Sequence, residues 1–252
     1  MRVEYLYRYP VKGLTAEALE EVTIEAGQCL PWDRAFALAQ GDARFDPEQP
    51  RHLPKRNFLC LMVNERAALL RSSFDPGSGT LSIQAPDGEG ITANALDAPG
   101  RSAIGAFLTA FMGGEARGTP RFHHVPGHSF SDVSRKVVSL INLASLKDLE
   151  AKVGSKRHRR RFRANLWFSG AVPWAELEWV GRTLLVGGAT LQVRAHIPRC
   201  PAVDVNPETA ERDADPVEEL RTLYGHPNLG VYAEAIEGGR IAIGDPVELL
   251  PA

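Results

Sequence analysis

Cys200 has the most reactive setting of any side chain in the sequence. It lies in Arg194-Ala195-His196-Ile197-Pro198-Arg199-Cys200-Pro201, where a proline restrains the backbone on either side. Two arginines and a histidine are close by in sequence. If they also gather in space, they stabilise the thiolate, the form that binds metals or attacks electrophiles. The alternative is a buried packing cysteine, a common fate of free thiols. Cys29 and Cys60 lack such neighbours, and Cys60, inside Phe58-Leu59-Cys60-Leu61-Met62, reads as core.

The other candidates are basic. Lys156 to Arg163 is the most cationic stretch, and it suits either phosphate contacts or a solvated loop. It runs into the apolar segment Ala164 to Phe168, so Arg163 and Asn165 project to the same face of an extended chain. A guanidinium fork beside an amide suits an anionic, hydrogen-bonding ligand. Lys12 and Gly13 stand at a strand exit, where a point charge and close backbone approach coincide. Taken alone, they also fit an ordinary exposed turn. Arg34 next to Asp33 could be no more than a surface ion pair. His123, His124 and His128 match no zinc spacing such as HExxH, and no Gly-rich dinucleotide or phosphate-loop motif occurs.

These residues need strands to carry them. Short strands are expected at Val3–Tyr9, Val22–Ile24, Arg34–Ala39, Asn57–Asn64 and Thr80–Gln84. Further strands are expected at Val137–Asn142, Asn165–Phe168, Thr183–Val186, Thr190–Arg194, Ala202–Asn206, Gly230–Ile236 and Arg240–Ile243. Helical spacing marks Arg101–Met112, Ala144–Val153 and Pro216–Leu223. Gly187-Gly188 and Gly238-Gly239 read as hairpin turns. The Gly-, Pro- and His-bearing stretch from 113 to about 130 reads as a connection. Many short strands without β-α-β alternation predict a mainly β chain with a few short helices, built as two β-barrel-like domains over residues 1–112 and 113–252.

Composition narrows the function. With 252 residues, 44% of them hydrophobic, and 29 Lys+Arg against 31 Asp+Glu, the chain is an ordinary globular protein of net charge −2. It exerts no global pull on nucleic acid or anionic membranes. Three cysteines with no CxxC argue against a structural zinc site, an iron–sulfur cluster or a disulfide framework. No apolar run approaches the ~20 residues of a membrane span, and the N-terminus does not read as a signal peptide. A cytoplasmic location is the expectation.

In order, YPVKG at 9–13, WDRAFAL at 32–38, FSDVSRKVVSLINLASLKDL at 130–149, RFRANLWFSG at 161–170, IPRCPAVDVNPETAERD at 197–213 and LYGHPNLGVYAEAIEGGRIAIGDPVEL at 223–249 resemble a MOSC-domain protein with its N-terminal β-barrel domain. The mitochondrial amidoxime-reducing components belong to that group. The resemblance implies the molybdenum cofactor, with Cys200 as the metal-ligating and catalytic residue. It implies cofactor contacts from Lys12, Arg34, Arg163 and Asn165, and from Asp132 and Ser134 near the metal. The implied activity is reduction of small N-hydroxylated or N-oxide substrates. Electrons would come from a separate ferredoxin- or cytochrome b5-like protein, since no cysteines for an iron–sulfur domain follow. Family association with pyridoxal phosphate binding is also implied. The family's other role, as a cofactor or sulfur carrier, would use a Cys200 persulfide. No nucleic acid and no membrane partner is expected, although a nucleic-acid-binding use of residues 156–163 predicts steep salt dependence. Gly13, Ala164 and Val133 depart from the serine, proline and threonine of the mitochondrial relatives.

Overall fold

The computed structural model describes residues 1–251. The first half of the chain carries β1 (Arg2–Arg8), β2 (Glu17–Leu19), β3 (Glu21–Ile24), β4 (Phe36–Ala39), β5 (Arg71–Asp75), β6 (Thr80–Gln84), β7 (Gly90–Asn94) and α1 (Ala98–Met112). The second half carries β8 (Arg121–His124), β9 (Val138–Asn142), α2 (Leu143–Val153), β10 (Leu166–Ser169), β11 (Thr183–Val186), β12 (Ala189–Pro198), α3 (Pro216–Tyr224), β13 (Asn228–Glu237), β14 (Gly239–Ala242) and β15 (Val247–Leu249).

Eight of these strands make one curled sheet in the order β15-β11-β12-β13-β9-β10-β1-β2. Its sides are stitched where β1 meets the chain before β15. Val3 N donates to Asp245 O, Gly244 N to Val3 O and Val247 N to Met1 O, each at 2.9 Å. The apolar interior includes Leu140, Leu166, Phe168, Leu184 and Val231. A register shift between Val3 and Tyr5 lets Val3 and Leu6, three residues apart, point into this interior. Tyr7 and Tyr9 then join another apolar cluster, under α2 and α3.

Strands β4 to β8 surround a separate core, whereas β3 and β14 pack on the first through Ile24 and Ile241. β5, β6 and β7 form a meander, and α1 packs on it through Ile104, Leu108 and Met112. Asp97 caps α1 by accepting from the Gly100 amide, with Pro99 in the first turn. The two halves interlock: β1 pairs with β10, β3 with β14 and β4 with β8.

Several elements differ from the sequence expectation. The apolar run 57–64 forms turns, and Phe58 alone bridges Ala39, because the Asn64 side chain accepts from the Cys60 amide and closes a turn. Residues 202–206 belong to the helical turn Pro201–Asp204 and its exit, with Pro201 lacking an amide for a ladder. The stretch from 113 to about 130, expected to be a connection, contains β8, which is stabilised by its partner β4 and not by local pattern. Gly238-Gly239 passes the chain between sheets, since β14 pairs with β3. β9 and β10 run parallel on either side of α2, a single β-α-β unit. Among the described residues, no helix is long and apolar enough to cross a membrane.

Candidate functional site

Loops leaving β1 and β12 and loops entering β4, β9 and β10 converge on a cleft of about 210 Å³. Six cationic side chains line it, from Lys12, Arg34, Lys55, Arg161, Arg163 and Arg199, against the two carboxylates of Asp33 and Asp132. Both halves of the chain contribute.

Cys200 ends the run from β12 and begins the turn Pro201–Asp204. It is half-buried, and its sulfur accepts from the Lys55 ammonium at 3.3 Å. The same ammonium donates to Asp132 Oδ2 at 2.8 Å. Lys12 Nζ donates to Asp132 Oδ1 and, at 2.8 Å, to the Phe130 carbonyl. Asp132, at the cleft mouth, is therefore clamped between two ammonium groups from the first half.

The electrostatics follow from this clamp. Burial alone would raise the Asp132 carboxyl, but Lys12 and Lys55 outweigh it and hold it well below the usual carboxylate range. Burial opposes the charge on Lys55, yet Asp132 and Cys200 outweigh it and raise that group above the ordinary lysine value. For Lys12 burial prevails over Asp132, and its pKa is lowered.

Two arginines adopt left-handed backbone conformations, Arg34 at φ +52° and Arg163 at φ +51°. Such strain is commonly stored at functional sites. Their guanidinium carbons lie 4.4 and 4.3 Å from the centroid of the Tyr9 ring. Arg34 is tied to the Asp33 carboxylate at 2.5 and 2.6 Å and donates to the Arg163 carbonyl at 2.8 Å. Arg163 itself donates to the Leu14 carbonyl at 2.7 Å. Arg199 is held by the carbonyls of Leu229 and Phe162, at 2.9 and 2.8 Å. Among the described residues, neither Arg163 nor Arg199 pairs with a carboxylate, and burial pushes each down to about 10. Arg161 pairs with Asp213 and donates to the Asp204 carbonyl, leaving its buried Nε without a partner. The cleft is thus prepared for an anion.

Six of the seven residues singled out in the sequence meet here: Lys12, Arg34, Asp132, Arg163, Asn165 and Cys200. Ser134 is exposed and lies outside the lining. Asn165 serves the fold as well. Its Oδ1 accepts from Ser139 Oγ at 2.8 Å and from Ser139 N at 3.2 Å, and its Nδ2 donates to the Tyr7 carbonyl at 3.2 Å. Asn165→Ala strands these buried groups. A loss of about 1–2 kcal/mol in urea unfolding is expected, and an unchanged midpoint would show the network to be idle.

Cys60 is buried as expected of core, yet it also lines the cleft. Lys55 carried no motif, and only the fold brings it to Cys200. Part of the basic run is paired with carboxylates. Arg157 pairs with Glu219 and Arg160 with Glu208, while Arg159 lies over Tyr5 at 3.8 Å.

Residues 119–248 match the MOSC domain, and residues 1–115 match the MOSC N-terminal beta barrel domain. The chain belongs to the MOSC family. It is similar to mitochondrial amidoxime-reducing component 1 of Mus musculus, 32% identical over 134 residues, covering 48% of this chain and 38% of the relative. The Homo sapiens counterpart is 33% identical over 136 residues, covering 48% and 39%. A molybdenum cofactor sulfurase of Drosophila grimshawi is 28% identical over 117 residues, covering 44% and 15%. The match therefore spans under two-fifths of the length of these relatives. The crystal structure of the YUAD protein from Bacillus subtilis aligns with a TM-score of 0.46 at 14% identity, covering 98% of this chain and 94% of that one.

Proposed function

We propose that the protein binds the molybdenum cofactor and reduces N-hydroxylated or N-oxide compounds, with electrons delivered by a separate ferredoxin- or cytochrome b5-like protein. The observation that carries this reading is the Cys200 sulfur, held by an ammonium in a cleft where Arg163 and Arg199 have no carboxylate partner. The donor set fits the group. A cysteine sulfur is a soft ligand for a thiophilic metal, and the cation excess suits a phosphate-bearing pterin. The names of the relatives, amidoxime-reducing component and molybdenum cofactor sulfurase, support the same reading.

When bound, the cofactor supplies two-electron exchange at its metal. The chain's own residues bind and orient it. Cys200 holds the metal, while Lys12, Arg34 and Arg163 hold the anionic end. Asn165 fixes the strand entry that aims Arg163, and Asp132 contributes from its loop, while Ser134 lies outside the lining and takes no part. In the net reaction the N–O bond of an N-hydroxylated substrate is cleaved with two electrons and two protons, giving the amine-type product and water.

The test is elemental mass spectrometry for molybdenum, with pterin quantified in parallel, on wild type and Cys200→Ala from cells rich in the cofactor. Near-stoichiometric metal in wild type and its loss in the variant are expected, followed by benzamidoxime reduction with a viologen donor in wild type alone. Pterin with metal content indifferent to Cys200 would transfer the reading to a carrier whose Cys200 bears a persulfide. Neither metal nor pterin in wild type would overturn the cofactor assignment.

A further inference from the structure

The backbone beneath Lys55 is fastened on both sides. Pro54 precedes it, and the Pro54 carbonyl accepts from both the backbone and the side-chain amide of Asn57, each at 2.9 Å. The Phe58 amide donates to the Lys55 carbonyl at 3.0 Å, and Leu59 N and Gln40 N tie the segment to β4 at 2.9 and 2.8 Å. Arg117 Nη2 adds a 2.8 Å bond to the Arg56 carbonyl. From this turn the side chain crosses the cleft to reach Asp132 and Cys200, 77 and 145 residues away. The anchored turn and the double engagement of the ammonium specify where its charge sits.

Building on the molybdenum reading, we propose that Lys55 is a positioning residue for the metal-ligating sulfur: its ammonium, fixed by Asp132, hydrogen-bonds Cys200 and sets a permanent positive charge against it, raising the reduction potential of the metal that sulfur holds. The physical basis is that partners just outside the ligand sphere orient ligands and tune the metal. Hydrogen bonds to ligating sulfur are one of the protein's levers on potential, because they withdraw electron density from the donor. Asp132 has two functions here. It keeps Lys55 charged, and its second oxygen binds Lys12, so both ammonium groups from the first half are registered on the loop that precedes β9.

Two measurements test this. In the cofactor-free protein, Cys200 alkylation by iodoacetate and by iodoacetamide is followed by peptide mass spectrometry. The same thiolate attacks both reagents and displaces iodide from each, so the ratio of rates reports the local field and not the thiolate fraction. Lys55→Met is expected to lower the iodoacetate-to-iodoacetamide ratio about fivefold, and Lys55→Arg to restore most of it. In the holoenzyme, potentiometric titration of the Mo(V) electron paramagnetic resonance signal is expected to give a lower midpoint in Lys55→Met than in wild type at equal metal content, with recovery in Lys55→Arg. If Lys55→Met does not fold, Lys55→Gln replaces it in both assays. An unchanged alkylation ratio would remove the contact. An unchanged midpoint with metal present would remove the tuning role and leave the cofactor reading standing. Wild type without molybdenum would overturn the cofactor reading and the tuning role together, and the alkylation ratio would still show whether the contact exists.

Discussion

Tyr9→Ala is expected to lose about 3–5 kcal/mol of unfolding free energy, and Tyr9→Phe no more than about 1. Tyr9 is 1% exposed, and its ring is shared by the Arg34 and Arg163 guanidiniums. Removing the ring opens a cavity and leaves two part-buried cations without their flat partner, a cation–π contribution that comes on top of the lost packing. The hydroxyl matters less, because its bond to the Ala164 carbonyl is long at 3.4 Å. Burial holds that phenol neutral, pushed up to about 12. Guanidinium unfolding of the three proteins decides the matter. Equal costs for alanine and phenylalanine would mean that the ring is not the platform for the arginines. The same variants bear on function, since Arg34 and Arg163 keep left-handed backbones only while the surroundings enforce them.

Much of the site was legible because its residues sit at strand exits and entries that the pattern of turns already marked. Lys12 follows β1 and Pro10, Arg163 and Asn165 precede β10, and Cys200 stands between prolines at the end of β12. Those signals are local. What stayed hidden depends on pairing across the chain. Lys55 gains meaning only when the 57–64 segment is laid against β4 and the β12 exit is brought opposite, 145 residues away. Cys60 is flanked by apolar residues on both sides, and such a run does not reveal that one member borders a cleft. β8 escaped because its four residues, Arg121 to His124, show no alternation, and its ladder comes entirely from β4. The turn at 202–204 was hidden by apolar residues that sequence pattern assigns to a strand, although Pro201 favours a helical start. Arg161 looked like one more charge in a solvated run, yet it is 5% exposed and pairs with Asp213.

Asp132→Asn is expected to cost about 2–3 kcal/mol at neutral pH, somewhat less than breaking a fully buried ion pair because the carboxylate side chain is 41% exposed and partly screened. The substitution leaves Lys12, 5% exposed, facing an amide in place of its counter-ion. The pH dependence has a definite sign. The Asp132 carboxyl is depressed in the folded protein, so its contribution is fully present above the unfolded value near pH 4 and is lost as pH falls through the folded one. Wild type and Asp132→Asn should therefore converge in acid. At the alkaline end Lys12 supplies the second limb. Its pKa is lowered by burial, and without Asp132 to oppose burial it falls further. The unfolded chain then binds more protons than the folded one between that value and about 10.4, so the variant regains stability with rising pH. Urea unfolding across pH 3 to 10 should show the largest gap between the two proteins near neutrality, narrowing as pH falls below about 4 and narrowing toward alkali through Lys12, while the Lys55–Asp132 pair keeps wild type ahead. A gap that stayed constant from acid to alkali would show that the clamp around Asp132 does not act through its charge.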